Sequence, residues 1–213
     1  MEFSAYLFDF DGTLVDSMPS YISAMLKILD ENGIKYERDI IKTITPLGYV
    51  GTARYYMTRL GLDMSESEIV TRMNEYAYEE YAYRIAAKHS VIETLMELKR
   101  RGADLNILTA SPHSVLDVTL ARLGIRELFS NVWSCDDFGT TKANPSIYTM
   151  AAEKIGKSTC EILFLDDNCN ALKTAASAGM KVCGVYDASS AEYTDEIKRI
   201  TDVYINDFHE LLV

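Results

Sequence analysis

The chain opens with a short unbroken apolar run, Ala5-Tyr6-Leu7-Phe8, which stops at Asp9-Phe10-Asp11-Gly12. An apolar run without alternation suits a central parallel strand covered on both faces. Runs of the same kind recur at residues 103–108, 132–133, 162–165, 182–185 and 203–205. Between them the apolar spacing is helical. Val91, Leu95 and Leu98 share one face, Lys99-Arg100-Arg101 suits a helix C-terminus, and Gly102 ends it. Ser111-Pro112 reads as N-cap and first helical position before Leu116, Leu120 and Leu123. Asn144-Pro145 repeats that signal before Ile147, Ala151 and Ile155, and Asn168 starts a further helix through Leu172 and Ala175. Strand and helix in alternation predict a doubly wound, Rossmann-like parallel sheet.

Residues 17–84 break the alternation. Ile22, Leu26 and Leu29 form one apolar face, residues 52–60 form a second helix, and Ser65 with Glu68 makes a capping-box pattern before Ile69, Met73 and Tyr76. No convincing strand lies there. The predicted organisation is therefore an α/β core from residues 1–16 and 87–213, with an all-helical domain, 17–86, inserted after the first strand. Segments 15–18 and 86–90 are the expected hinges. The tyrosines at 76, 78, 81 and 83 spread around a helix, which suggests packing rather than a cofactor box.

Ligands of parallel sheets meet the carboxyl ends of the strands. Asp9 and Asp11, Thr109, and Asp166 and Asp167 stand at such ends, and Lys142 lies just before the Asn144 helix. Clustered carboxylates repel unless a cation sits between them, and carboxylate oxygens are hard ligands suited to Mg²⁺. A carboxylate can also attack phosphorus, a second one can exchange a proton with the leaving oxygen, and a hydroxyl and an ammonium can hold phosphoryl oxygens. Against this, an Asp at a strand end is often turn chemistry, and a lone lysine is usually solvated. Ser111 has a sufficient explanation as an N-cap, Asp16 and Ser17 as helix-start residues, and Asp136 and Asp137 as a solvated turn.

DFDGTLVDS at 9–17, LTAS at 108–111, Lys142 in TTKANPSIY, and LDDN at 165–168 together resemble the four motifs of the haloacid dehalogenase-like superfamily, in order. The insert resembles its C1-type helical cap, as in the phosphoglycolate phosphatase and β-phosphoglucomutase group. The resemblance implies that Asp9 is the nucleophile and a metal ligand. It makes Asp11 the general acid/base, a metal ligand through its carbonyl, and Thr109 and Lys142 the phosphoryl-binding groups. Asp167 becomes a direct metal ligand and Asp166 a direct or water-mediated one. The amides of Phe10 and Ala110 would face the phosphate. An acid at position 11 favours phosphoryl transfer over halide displacement. Ala143 replaces the proline usual after the lysine, and His89-Ser90 replaces the usual Pro-Gly. In the insert, Gly48 of the turn-like stretch 45–48 and Arg54 are the candidates for reading the substrate, although ordinary helical structure also accounts for both.

The expected activity is Mg²⁺-dependent hydrolysis of a small phosphorylated metabolite. The rivals are a phosphomutase like β-phosphoglucomutase, and a non-enzymatic phospho-acceptor or binding protein. A net charge of -11 argues against nucleic-acid and anionic-membrane partners. The N-terminal stretch lacks a secretory pattern. The four cysteines form no C-x-x-C pair and read as reduced thiols in a cytoplasmic protein. Monomer and homodimer stay equally open.

Overall fold

The computed structural model describes residues 3–213, which divide into two compact units: residues up to 16 with 86–213, and 17–85. Ala86 falls with the α/β unit rather than the insert, because its carbonyl accepts the Asp16 amide at 3.0 Å and Ala87 bridges to Val15.

The α/β unit holds a parallel sheet. Its strands are β1 (Ala5–Phe8), β2 (Asp104–Thr109), β3 (Asn131–Ser134), β4 (Ile162–Asp166), β5 (Lys181–Val185) and β6 (Val203–Ile205), in the order β3-β2-β1-β4-β5-β6. All neighbours are parallel, and Ala5 pairs with Asp104 on one side and Ile162 on the other. The order runs outward in opposite directions from β1 and β4. A topological switch point therefore lies between those strands, where a doubly wound sheet opens a crevice.

Period-two geometry sends alternate β1 side chains to opposite faces. Leu7 joins a core with Leu108, Ile147, Tyr148, Phe164 and Leu172. Phe8 instead packs its ring near Phe129 and Phe208, with centroids 6.3 Å away in each case. Both faces are thus covered, which is why the run carries no polar alternation. The helices of this unit are α5 (Val91–Arg100), α6 (His113–Leu123), α7 (Ser146–Ile155), α8 (Cys169–Ser177) and α9 (Thr194–Ile200); numbering follows chain order, and α1 to α4 belong to the other unit. Asn144 Oδ1 accepts the Ser146 amide before α7, and Asn168 Oδ1 accepts the Asn170 and Ala171 amides at the start of α8, as expected of Asn at these positions.

The second unit is helical: α1 (Met18–Glu31), α2 (Ile40–Ile44), α3 (Gly48–Arg59) and α4 (Glu66–Tyr83). Met25, Ile28, Leu29, Ile44, Tyr56, Ile69 and Met73 form its core, and the Tyr56 hydroxyl donates to the Met25 carbonyl. Ser65 caps α4 by accepting the Glu68 amide. Two details differ from the sequence reading. α2 was not expected, since five residues give too little periodicity to register. The turn-like stretch ahead of Gly48 is a 3₁₀ turn, Thr45–Leu47, and α3 begins four residues earlier than the expected position 52. The four tyrosines do spread around α4: Tyr81 is buried while Tyr83 is 73% exposed.

Among the described residues no helix is long and apolar enough to cross a membrane, and the four cysteines are free thiols.

Candidate active site

The switch point fixes where the acidic strand ends meet. The Asp9 amide donates to the Leu165 carbonyl at 2.8 Å, so Asp9 leaves the sheet beside Asp166. Asp9, Asp166 and Asp167 are all buried, and each can offer one carboxylate oxygen within 4.8 Å of the others. The Lys142 ammonium enters this cluster. It donates to Asp9 Oδ1 and, at 2.9 Å, to Asp166 Oδ2. The other Asp166 oxygen accepts the Asn168 amide at 2.7 Å.

Thr13 ties the first loop to the fourth strand. Its hydroxyl accepts the Asp167 amide and lies 3.4 Å from Asp167 Oδ1. Gly12 lies against the same carboxylate with φ +75°, and a Cβ there would stand 2.9 Å from all three carboxylate atoms. Only glycine combines that dihedral with that approach.

Charge in the cluster is unbalanced. Three buried carboxylates face one ammonium. Burial pushes the Asp9 carboxyl up to about 7, with Asp166 and Asp11 adding to the effect and Lys142 opposing it. Burial likewise raises Asp167 well above the usual carboxylate range, reinforced by Asp166 and Asp9. Burial disfavours the Lys142 ammonium, yet the charges of Asp166 and Asp9 outweigh it and raise its pKa. Such a group of hard oxygen donors, short of positive charge and held beside a glycine that leaves room, fits a small divalent cation.

Asp11 and Thr109 stand on the same rim. Asp11 is half-buried, and its Oδ2 accepts the Ser111 hydroxyl at 2.5 Å. Asp11 is not one of the three carboxylates close enough to share an ion. Thr109 is buried at the end of β2, and its Oγ1 accepts the Ser111 amide. The sequence reading of Ser111 as an N-cap is therefore corrected. The carbonyl that starts α6 is that of Pro112, and the serine hydroxyl serves Asp11 instead. A serine two positions beyond a strand-end threonine was the available signal. Asp136 and Asp137 lie in an exposed 3₁₀ turn, as expected, where Asp137 accepts the Ser134 amide and pairs with His113 at 2.8 Å. Phe10 is fully buried and its carbonyl accepts the Leu14 and Val15 amides, while Ala110 is exposed just past β2.

In the helical unit, Gly48 opens α3 with φ +64°. Arg54 lies on the surface and forms a two-point ion pair with Glu66, at 2.6 and 3.3 Å. This partner already engages the guanidinium that the sequence reading offered to a substrate anion.

A family model described as haloacid dehalogenase-like hydrolase matches residues 3–179. The chain belongs to that family. As a haloacid dehalogenase-like hydrolase it is an enzyme of the phosphatase type, and the fold resemblance drawn from the four motifs holds. Among curated relatives it is 28% identical over 183 residues to pyrophosphatase PpaX of Bacillus velezensis, covering 85% of this chain and 82% of that one. Among solved structures it is similar to a candidate β-phosphoglucomutase from Thermotoga maritima, with TM-score 0.84, 21% identity and coverage of 98% and 96%. It is also similar to a candidate phosphoglycolate phosphatase from Haemophilus somnus, with TM-score 0.81, 23% identity and coverage of 100% and 97%. At these identities the structural likenesses speak for the haloacid dehalogenase-like fold.

Proposed function

We propose that the chain is a Mg²⁺-dependent phosphohydrolase that acts on a small phosphorylated substrate through an aspartyl-phosphate on Asp9. The observation that carries this reading is the convergence of Asp9, Asp166, Asp167 and Lys142 in one buried cluster, with Asp11 on its rim.

Asp9, Asp167 and the Asp11 carbonyl would hold the ion, with Asp166 reaching it through water, since both Asp166 oxygens already accept hydrogen bonds. Bound there, Mg²⁺ supplies positive charge for the phosphoryl oxygens and keeps Asp9 ionised. In the first step an Asp9 oxygen forms a bond to phosphorus while the bond to the leaving oxygen breaks, and Asp11 gives that oxygen a proton. In the second step Asp11 takes a proton from water, the water oxygen bonds to phosphorus, and the Asp9–phosphorus bond breaks to release phosphate. Thr109 and Lys142, with the Phe10 and Ala110 amides, hold the phosphoryl oxygens as charge develops. Gly48 and Arg54 are assigned to substrate selection, Arg54 only after leaving Glu66.

The relative named a pyrophosphatase makes inorganic pyrophosphate the first substrate to try, followed by sugar phosphates and phosphoglycolate. The test is phosphate release over that set, with and without Mg²⁺, beside Asp9→Asn. The expected result is metal-dependent release that the variant lacks. Equal activity in Asp9→Asn would remove it as nucleophile, and conversion of a sugar phosphate to its isomer without free phosphate would make the chain a mutase.

A further inference from the structure

Lys88 follows the end of the insert, and the sequence reading passed it over. Its side chain is mostly buried, with 19% exposed, and its ammonium makes three hydrogen bonds. It donates to the Gly12 carbonyl at 2.7 Å, to the Tyr186 carbonyl at 2.6 Å, and to Asp187 Oδ2 at 3.0 Å. All three ammonium protons thus have acceptors, two of them main-chain oxygens 76 and 98 residues away in sequence. Its own amide donates to the Leu14 carbonyl. The residue therefore joins the turn after β1 to the segment after β5.

That turn matters because of what it touches. Gly12 packs against the Asp167 carboxylate, and Thr13 exchanges hydrogen bonds with Asp167. Asp11 precedes Gly12 directly. The peptide whose carbonyl Lys88 grips is thus flanked by the acid/base candidate and by the contact surface of a candidate metal ligand.

We infer that Lys88 is a positioning residue: by holding the Gly12 carbonyl, its ammonium fixes the turn that sets the Asp167 carboxylate, and so tunes affinity for the cation. The inference rests on the reading of Asp9, Asp166 and Asp167 as a Mg²⁺ site. Groups that orient metal ligands from behind typically change metal affinity about 10- to 100-fold when removed. The Asp187 carboxylate shares the ammonium, but its other oxygen accepts the Ser189 amide and hydroxyl, so its loss leaves the bond from Lys88 to Gly12 in place.

The experiment measures the melting temperature of the whole chain against Mg²⁺ concentration and obtains the half-saturating concentration from the onset of its logarithmic rise. In wild type the melting temperature is expected to rise with Mg²⁺. Lys88→Met should raise the half-saturating concentration about tenfold or more. Asp187→Asn keeps the grip on Gly12 and removes only a charge felt at Asp167, so it should raise the half-saturating concentration clearly less than Lys88→Met does. If Lys88→Met does not fold, Lys88→Gln takes its place, with a shift in the same direction of roughly several-fold. An unchanged half-saturation in the folded Lys88 variant overturns this inference alone, as does an equal shift in Asp187→Asn. A wild type with no response to Mg²⁺ overturns the proposed function and this inference together.

Discussion

The Ser111 hydroxyl donates to Asp11 Oδ2 at 2.5 Å, joining the loop after β2 to the loop after β1. The carboxylate proposed to move the proton is thereby aimed by a residue from a different strand end. Hydrogen bonds to charged groups contribute about 1.5–3 kcal/mol. If that contribution orients Asp11 in the transition state, Ser111→Ala should lower kcat roughly 10- to 100-fold with KM little changed. Asp11→Asn should cost more, about 10²- to 10⁴-fold. Steady-state kinetics on the best substrate checks both. A rise in KM at constant kcat would assign Ser111 to substrate binding instead.

Asp167 yields a prediction about stability and pH. Its folded-state pKa is raised by burial, then by Asp166 and Asp9. The folded form therefore holds its proton over a range in which the unfolded chain, at about 3.9, has lost it. Wild-type stability without metal should fall as pH rises from about 4 upward. Asp167→Asn lacks that term. With a chelator present it should melt higher than wild type at neutral pH, and the gap should close toward pH 4. Added Mg²⁺ should stabilise wild type only. Melting curves across pH with and without chelator test this, and a gap independent of pH would refute it.

Gly12→Ala places a methyl group where the Asp167 carboxylate already sits, at a left-handed dihedral. The dihedral costs about 1–2 kcal/mol, and the overlap about 1–3 kcal/mol more. The variant should melt lower than wild type and lose phosphate release. Thermal denaturation that matches wild type would show that the turn can give way.

Tyr148, fully buried on α7, lies 3.1 Å from both the Lys142 and Ala171 carbonyls, to which its single proton can donate in turn. Tyr148→Phe leaves those oxygens in an apolar setting, at a cost of about 1–3 kcal/mol. Because the Lys142 main chain is one anchor, activity should fall along with stability. Urea unfolding and kcat measured on the same preparation separate the two effects.

The parts of the site legible in sequence were those at which an apolar run stops on a charged or hydroxylic residue. Asp9, Thr109 and Asp166 stand out for that reason, and the sheet order brings Asp9 and Asp166 to its switch point. Ser111 was misread because a short local motif already explained it, and local motifs do not report partners from other loops. Lys88 had no signal at all. A lysine in a connecting segment looks solvated until the fold delivers two distant carbonyls to it. The strands were legible from their apolar runs, whereas α2 has too few residues for its spacing to register.

The insertion after β1 has a consequence for how the chain comes into being. β1 is made before both of its sheet partners, which begin at Asp104 and Ile162. The strand leading to Asp9 must wait, apolar on both sides, while the helical unit and most of the α/β unit are synthesised. Pairings this remote in sequence form slowly. The earliest-made piece of the candidate site is thus secured only after its later partners are made, and a chain cut short before residue 162 would leave that strand without its second neighbour.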